Sequence, residues 1–291
     1  GTLWQEVLQA DTYARGKGTT VAKIVEGENR LTAIAGVANV GTDRDWSGST
    51  FNQANWYAFG RLAWNPEDSA RAVAADWAAM TFTADPAFVG PTVDMMMRSR
   101  EAAVDYMTPL GLAHLMGTDH HYGPAPWVDD AGRADWNPVY FHRADKNGIG
   151  VDRTKSGSDA LSQYAPRAAA RLEADENYLL WFHRLSWDHR MASGRTLWAE
   201  LVYRYDRGVA EVATMRADWA KMKPFVDAER FDKTAIFLAV QEKEAKWWRD
   251  ACIAYFQSVS GQPLPAGVEP PAHPLSYYRA LKFPYAPGIA R

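Results

Sequence analysis

The sequence predicts a mostly α-helical protein in which one β/α unit precedes a helical domain interrupted by a long ordered loop. Three observations carry that reading. From residue 68 onward the apolar residues recur almost wholly at three- and four-residue steps, the period of a helix with one buried face. Residues 32–41, TAIAGVANVG, are instead a short apolar run of small and branched residues ending in glycine, the profile of a strand buried on both faces. Residues 116–164 follow neither period, yet they hold three of the chain's seven histidines together with Tyr122, Trp127, Trp136, Tyr140, Arg143 and Arg153. Disordered segments are poor in aromatic residues, so a loop of this length and composition reads as an ordered surface that binds something.

The elements follow in chain order. Residues 3–14 place Leu3, Trp4, Val7 and Leu8 on one face and predict a short helix. After the strand and the polar turn TDRDWSGS, residues 51–66 carry Phe51, Trp56, Phe59, Leu62 and Ala63 at helical steps, and Pro66 ends them. One β/α unit cannot bury its own faces, so the front of the chain reads as the tail of a larger α/β domain. Asp68 or Ser69 caps a helix to about Phe82, and Pro86 opens another through the Met95, Met96, Met97 run to Met107, closed by Pro109. The Met run reads as adaptable core filling.

Beyond the loop, residues 176–191 read as a helix with a short break, and the stripe from Leu197 to Met222 as a long helix ending at Pro224. The last long helix spans about 228–256, with Phe237, Val240, Trp247, Trp248, Ala251, Cys252 and Tyr255 facing inward. The short KPFVDAE turn between the two makes them a helical hairpin. Residues 262–291 form a proline-rich tail expected on the surface. The expected domains are 1–66, 67–261 and 262–291.

Composition narrows the function. A chain of 291 residues with a formal net charge of -3 offers no global basic field for nucleic acid. With Cys252 as the single cysteine, an intrachain disulfide and thiolate zinc sites are excluded. No apolar run approaches the roughly 18 residues of a membrane helix. The first residues lack the charged-then-apolar pattern of a targeting segment, which points to a start inside a longer protein or after a removed segment. Thirteen Trp and thirteen Tyr are the compositional signal: large rings fill cores, and their faces also stack on sugar rings.

Several chemistries lack their motifs. Neither GxSxG nor SxxK occurs, GKGTT at residues 16–20 lacks the Walker spacing, and there is no HExxH. The adjacent His120 and His121 diverge in any extended segment, so with Asp119 and His142 they favour hydrogen bonding over a metal site. No cofactor is implied. The loop aspartates Asp119, Asp129, Asp130, Asp135, Asp145 and Asp152 read as turn formers or partners of Arg, and Asp145 and Asp152, close in sequence to Arg143 and Arg153, fit an ion-pair network better than acid–base work. Asp43, Asp45 and Trp46 follow the strand, where ligands sit in α/β barrels, although capping fits Asp45 and Ser47 equally.

The segments GVANVGTDRDWSGSTFNQANWYAFGRLAWNP, VDYMTPLGLAHLMGTDHHYGP, ADWNPVYFHRADKNGIGVDRT, LLWFHRLSWDHRMASGRTLW and WWRDACIAYFQ resemble the C-terminal half of the xylan α-1,2-glucuronidases of glycoside hydrolase family 67. The resemblance covers nearly the whole chain apart from the proline-rich tail. It implies an N-terminal β-sandwich, a central (β/α)8 barrel whose last β/α unit opens this chain, and a helical C-terminal domain that commonly makes a homodimer. The implied activity is inverting removal of 4-O-methylglucuronic acid from xylo-oligosaccharides.

In that family the catalytic carboxylates lie on earlier barrel strands, the last in a Gln-Glu-Tyr motif shortly before the segment matching TLWQEVL. None is therefore expected in this chain, whose partner would be the missing N-terminal part of the same enzyme. What carries over is binding: Trp136 is the best match to the family's C-terminal aromatic residue, with Trp127 second. The loop residues His120, His121, Tyr122 and Arg143 are hydrogen-bond donors to sugar hydroxyls or braces of the loop, and Asp43 and Trp46 are further candidates. The alternative is a non-catalytic helical module for xylo-oligosaccharide binding or dimerisation.

Overall fold

The computed structural model describes residues 1–27, 31–37, 45, 47–117 and 123–282. They are mostly helical and fall into two compact units, the first made of Gly1–Arg100 with Val212–Val240 and the second of Glu101–Glu211 with Gln241–Arg291.

The first unit begins with α1, Thr2–Gln9, and α2, Val21–Glu26. Leu8, Ala22 and Leu62 make a small core there, with Ile34 packed against it. Residues 31–37 form no strand, and Leu31 and Val37 are 91% and 92% exposed. A strand buried on both faces must exchange hydrogen bonds with neighbours on both edges, and no other strand forms among the described residues. Residues 38–41 of the predicted strand lie outside the described residues.

Helix α3, Thr50–Trp64, starts at Ser49, whose hydroxyl accepts the Asn52 N–H at 3.2 Å. Helix α4, Ala70–Thr81, is capped by Ser69 in the same way. Helix α5 runs over Pro86–Met107 as expected and holds a second proline, Pro91, inside it. In this unit Phe51, Trp77 and Phe82 pack around the fully buried Trp219, which stacks on Phe231 at 5.8 Å and donates its indole N–H to the Phe231 carbonyl at 3.1 Å. Trp219 and Phe231 flank the turn between α9, Leu197–Lys221, and α10, Ala228–Ser260.

Phe237 and Val240, expected inside, are 54% and 55% exposed, and Ile236 beside them is 64% exposed. Trp248, Ala251, Cys252 and Tyr255 on α10 are buried as expected, and Trp247 is half-buried. Periodicity tells which face of a helix is apolar, and whether another element covers that face is a tertiary fact.

The second unit packs the C-terminal end of α5 and residues 197–211 of α9 through Gly208, where a Cβ would lie 2.5 Å from the Tyr106 backbone nitrogen. Beside that contact two buried carboxylates are held by guanidinium groups. Asp105 accepts from Arg207 Nε and Nη2 at 2.5 and 2.9 Å, and Glu200 accepts from Arg204, Arg195 and Ser193 at 2.8, 3.0 and 2.8 Å. Removing one partner would leave a buried charge uncompensated, so these networks are structural.

The long loop lies in this unit and is ordered by short elements: a 3-10 turn at Ala134–Trp136, α6 at Pro138–His142, and a second 3-10 turn at Ala160–Gln163. Helix α7, Pro166–Ala174, follows it. Residues 176–191 do not form the expected helix. A 3-10 turn at Glu176–Tyr178 and α8, Leu179–Phe182, give way to extended backbone in which Leu185 and Ile149 exchange hydrogen bonds at 2.9 Å. Gly148 and Gly150 make that register possible, since a Cβ at either would lie 2.1 Å from the Leu185 or His183 carbonyl oxygen. The tail is tied to the same unit: Trp198 donates to the Pro263 carbonyl at 2.8 Å, and α11, Leu275–Ala280, buries Tyr278.

His142 is completely buried in the loop's interior. Its Nε2–H donates to the Pro126 carbonyl at 2.8 Å, its Nδ1 accepts the Ala144 N–H at 2.9 Å, and Tyr255 and Phe256 approach its ring edge-on. That arrangement requires the neutral ring, and burial pushes its pKa down from 6.5 to about 4. A histidine with a depressed folded pKa contributes full stability above the unfolded value, and the contribution is lost as pH falls from about 6.5 toward 4. We expect about 3 kcal/mol to be lost over that interval, read as a falling urea midpoint, and the pH dependence to flatten in His142→Gln. A wild-type midpoint that stays constant across the interval would refute the neutral buried ring.

Candidate functional site

Trp136 closes the 3-10 turn at Ala134–Trp136 and is 46% exposed, a high value for so large a ring. Its setting is firm. Asn137 is buried and fastens the turn by donating to the Arg133 carbonyl at 2.8 Å and accepting the Ala131 N–H at 2.7 Å. The Arg133 guanidinium lies 5.4 Å from the Trp136 ring centre while forking onto Asp135 at 2.9 and 2.6 Å. On the other side the Trp136 carbonyl meets His114 Nε2 at 3.2 Å, and the His114 ring packs on Phe141 at 4.9 Å.

Phe141 continues edge-on into Tyr140, 5.2 Å away, and Tyr140 lies under the Arg143 guanidinium at 5.6 Å. Pro138 opens α6 at its first turn, which places Tyr140 and Arg143 three residues apart on one side of the short helix. Arg143 ends α6 in the left-handed conformation, φ 44°, and its carbonyl accepts from Arg184. Trp136 and Arg143 therefore belong to one continuous aromatic and cationic surface. Trp127 belongs to a different cluster: it is half-buried, 6.4 Å from Tyr255, with the Arg279 guanidinium 6.0 Å from its ring.

Among the described residues, Asp145 and Asp152 do not pair with Arg143 and Arg153 as expected. Asp145 pairs with Arg184 at 2.8 Å and accepts the Asn147 and Gly148 N–H groups at 2.7 and 3.1 Å, which hold its carboxyl below the ordinary range. Asp152 accepts from the Thr154 and Ser156 hydroxyls at 2.7 and 2.8 Å, with the same effect. Both are turn formers; the partners of Asp152 all lie within its own turn, while Asp145 also reaches Arg184 across the unit.

Of the other candidates, His120, His121, Tyr122, Asp43 and Trp46, like Asp119, lie outside the described residues. Asp45 pairs with Lys233 at 2.9 Å, and its carbonyl accepts the Gly48 N–H at 2.7 Å. Ser47 supports the turn while Ser49 caps α3. Among the described residues no three His, Cys, Asp or Glu side chains gather as a metal site. The sequence reading named Tyr140 among the loop's aromatic residues without making it a site residue, and it missed His114. The Tyr140 to Arg143 spacing was the available signal, but it has meaning only once residues 138–142 are known to be helical.

The chain matches the family description "Glycosyl hydrolase family 67 C-terminus" over residues 47–269 and "Glycosyl hydrolase family 67 middle domain" over residues 1–46. It is 34% identical over 275 residues to "Alpha-glucuronidase A" of Aspergillus tubingensis, covering 91% of this chain and 32% of that protein. It is 34% identical over 271 residues to "Alpha-glucuronidase" of Hypocrea jecorina, covering 90% and 31% respectively. The chain thus spans about a third of the length of these curated relatives. With most of its length matched in order to that family's C-terminal region, and its first residues to the middle domain, the chain belongs to glycoside hydrolase family 67.

Proposed function

We propose that this chain is the C-terminal portion of an inverting α-glucuronidase that releases glucuronic acid, or its 4-O-methyl form, from xylo-oligosaccharides. The observation that carries the binding half is the exposed, braced ring of Trp136. A rigid aromatic face presents an apolar plane to the C–H side of a pyranose at little entropic cost, and stacking there would orient the xylan backbone while the uronate is held elsewhere.

The catalytic half belongs to residues that precede this chain, on the strands of a (β/α)8 barrel whose last unit is residues 1–66. Inversion requires one carboxylic acid at the leaving oxygen and one carboxylate to activate water. The buried carboxylates Asp105 and Glu200 are engaged by guanidinium groups, and Asp145 and Asp152 are engaged in turns, which supports an upstream origin. The reading of this chain by itself as a non-catalytic module for xylo-oligosaccharide binding rests on the same carboxylates.

Glucuronate release from an aldouronic acid separates the two halves. The full-length enzyme should release it and this chain alone should not. Release by this chain alone would mean that its own carboxylates do the chemistry. In the full-length enzyme, Trp136→Ala should weaken xylo-oligosaccharide binding by about 1–3 kcal/mol without lowering the melting temperature appreciably. Unchanged affinity with collapsed stability would make Trp136 a core residue.

We further propose a homodimer seated on the exposed apolar stripe of α10, where Ile236, Phe237 and Val240 recur at one- and four-residue steps. Ile236→Glu with Phe237→Glu should then convert a dimer to a monomer in sedimentation. A dimer that persists assigns the stripe to another occupant.

A further inference from the structure

The proline-rich tail of the second unit is fastened by buried groups. Terminal segments fray unless specific contacts tie them down, and here such contacts are spread over residues 262–278. Gln257 Nε2 donates to the Gln262 carbonyl at 3.3 Å, and the Trp198 indole N–H to the Pro263 carbonyl at 2.8 Å. The main anchor is an ion pair on α10, Arg249 with Asp250, 7% and 8% exposed. Arg249 meets Asp206 at 2.6 Å through Nε and donates to the Glu269 carbonyl at 2.5 Å through Nη2. Asp250 Oδ1 accepts from Arg249, and Oδ2 accepts the Ala272 N–H at 3.1 Å and the Tyr278 hydroxyl at 3.4 Å. The same hydroxyl accepts the His273 N–H at 3.3 Å. The matched family region ends at residue 269, so the contacts at 272, 273 and 278 lie beyond it.

Helix α11 carries this anchorage to the long loop. One residue after Tyr278, the Arg279 guanidinium lies 6.0 Å from the centre of the Trp127 ring, and Trp127 meets Tyr255 edge-on at 6.4 Å. The neighbours of Trp127 are bonded to α6. The Pro126 carbonyl accepts from His142 at 2.8 Å, and the Val128 carbonyl accepts the Val139 N–H at 3.4 Å. A continuous chain of contacts therefore runs from Asp250 through Tyr278, Arg279 and Trp127 to the helix that presents Tyr140.

We propose that residues 262–280 are a strap, latched at Asp250, that holds Arg279 on Trp127 and thereby positions α6 and the aromatic surface around it. Asp250, Tyr278 and Arg279 act as positioning residues through Trp127. An irregular loop opens locally at low free energy because it has no ladder of backbone bonds, and a cation held over an aromatic ring adds a contact that opening must break. The strap stands on its own contacts. Its consequence for substrate rests on the reading of this loop as a sugar-binding surface.

Hydrogen exchange of the full-length protein, read by mass spectrometry on peptides covering residues 125–128 and 139–143, tests the strap. Tyr278→Phe keeps the ring and removes both hydroxyl contacts, and Arg279 is exposed, so Arg279→Gln should fold normally. Each substitution should speed exchange in these peptides by about fivefold or more while α9 stays within about twofold of wild type. Arg279→Lys keeps the cation and should retain part of the protection. Exchange at 125–128 within about twofold of wild type in both Tyr278→Phe and Arg279→Gln would overturn the proposal. Uniform acceleration across every helix would overturn it too, since the tail would then be a general stabiliser. With an aldouronic acid as substrate, Arg279→Gln should raise KM and leave kcat unchanged. Faster exchange with an unchanged KM would uphold the strap and count against the sugar-binding reading, so the two can fail separately.

Discussion

A neutral imidazole with both nitrogens engaged holds the long loop together. His142 joins the Pro126 carbonyl to the Ala144 N–H across the loop's interior, and Tyr255 and Phe256 close over it. An irregular segment lacks a ladder to satisfy its backbone, so each buried polar group needs an individual partner. His142 supplies one donor and one acceptor on opposite sides of a rigid ring, and α6 is oriented by that bridge. Everything α6 presents, Tyr140 and Arg143 on its surface and Trp136 just before it, inherits its position from a residue that does not reach the surface.

The charged residues of the second unit divide by the same logic of satisfaction. Asp105 and Glu200 are buried and surrounded by guanidinium donors, an arrangement that fixes α5 and α9 at short range through Gly208. Asp145 and Asp152 accept hydrogen bonds within their own turns, and the exposed Asp145 also meets Arg184. Arg143 and Arg153 lie against the rings of Tyr140 and Trp181.

Periodicity and capping residues determined the helices of this protein. Ser49 and Ser69 start α3 and α4, Pro86 starts α5, and apolar steps set the extents of α9 and α10, because those signals act within a turn or two of the chain. The long motifs DHHYGP and DWNPVYFHRAD were likewise enough to point to the family. Tertiary structure decided the rest. Residues 31–37 have the composition of a buried strand but no strand to pair with among the described residues, and residues 183–185 leave helical geometry because Ile149 offers their backbone a partner across two glycines. Phe237 and Val240 lie on an apolar face that nothing among the described residues covers, and Arg143 and Arg153 went without the aspartates beside them in sequence. In each case the outcome depended on a group distant along the chain, and local sequence encodes the capacity to form an interaction without specifying which partner arrives.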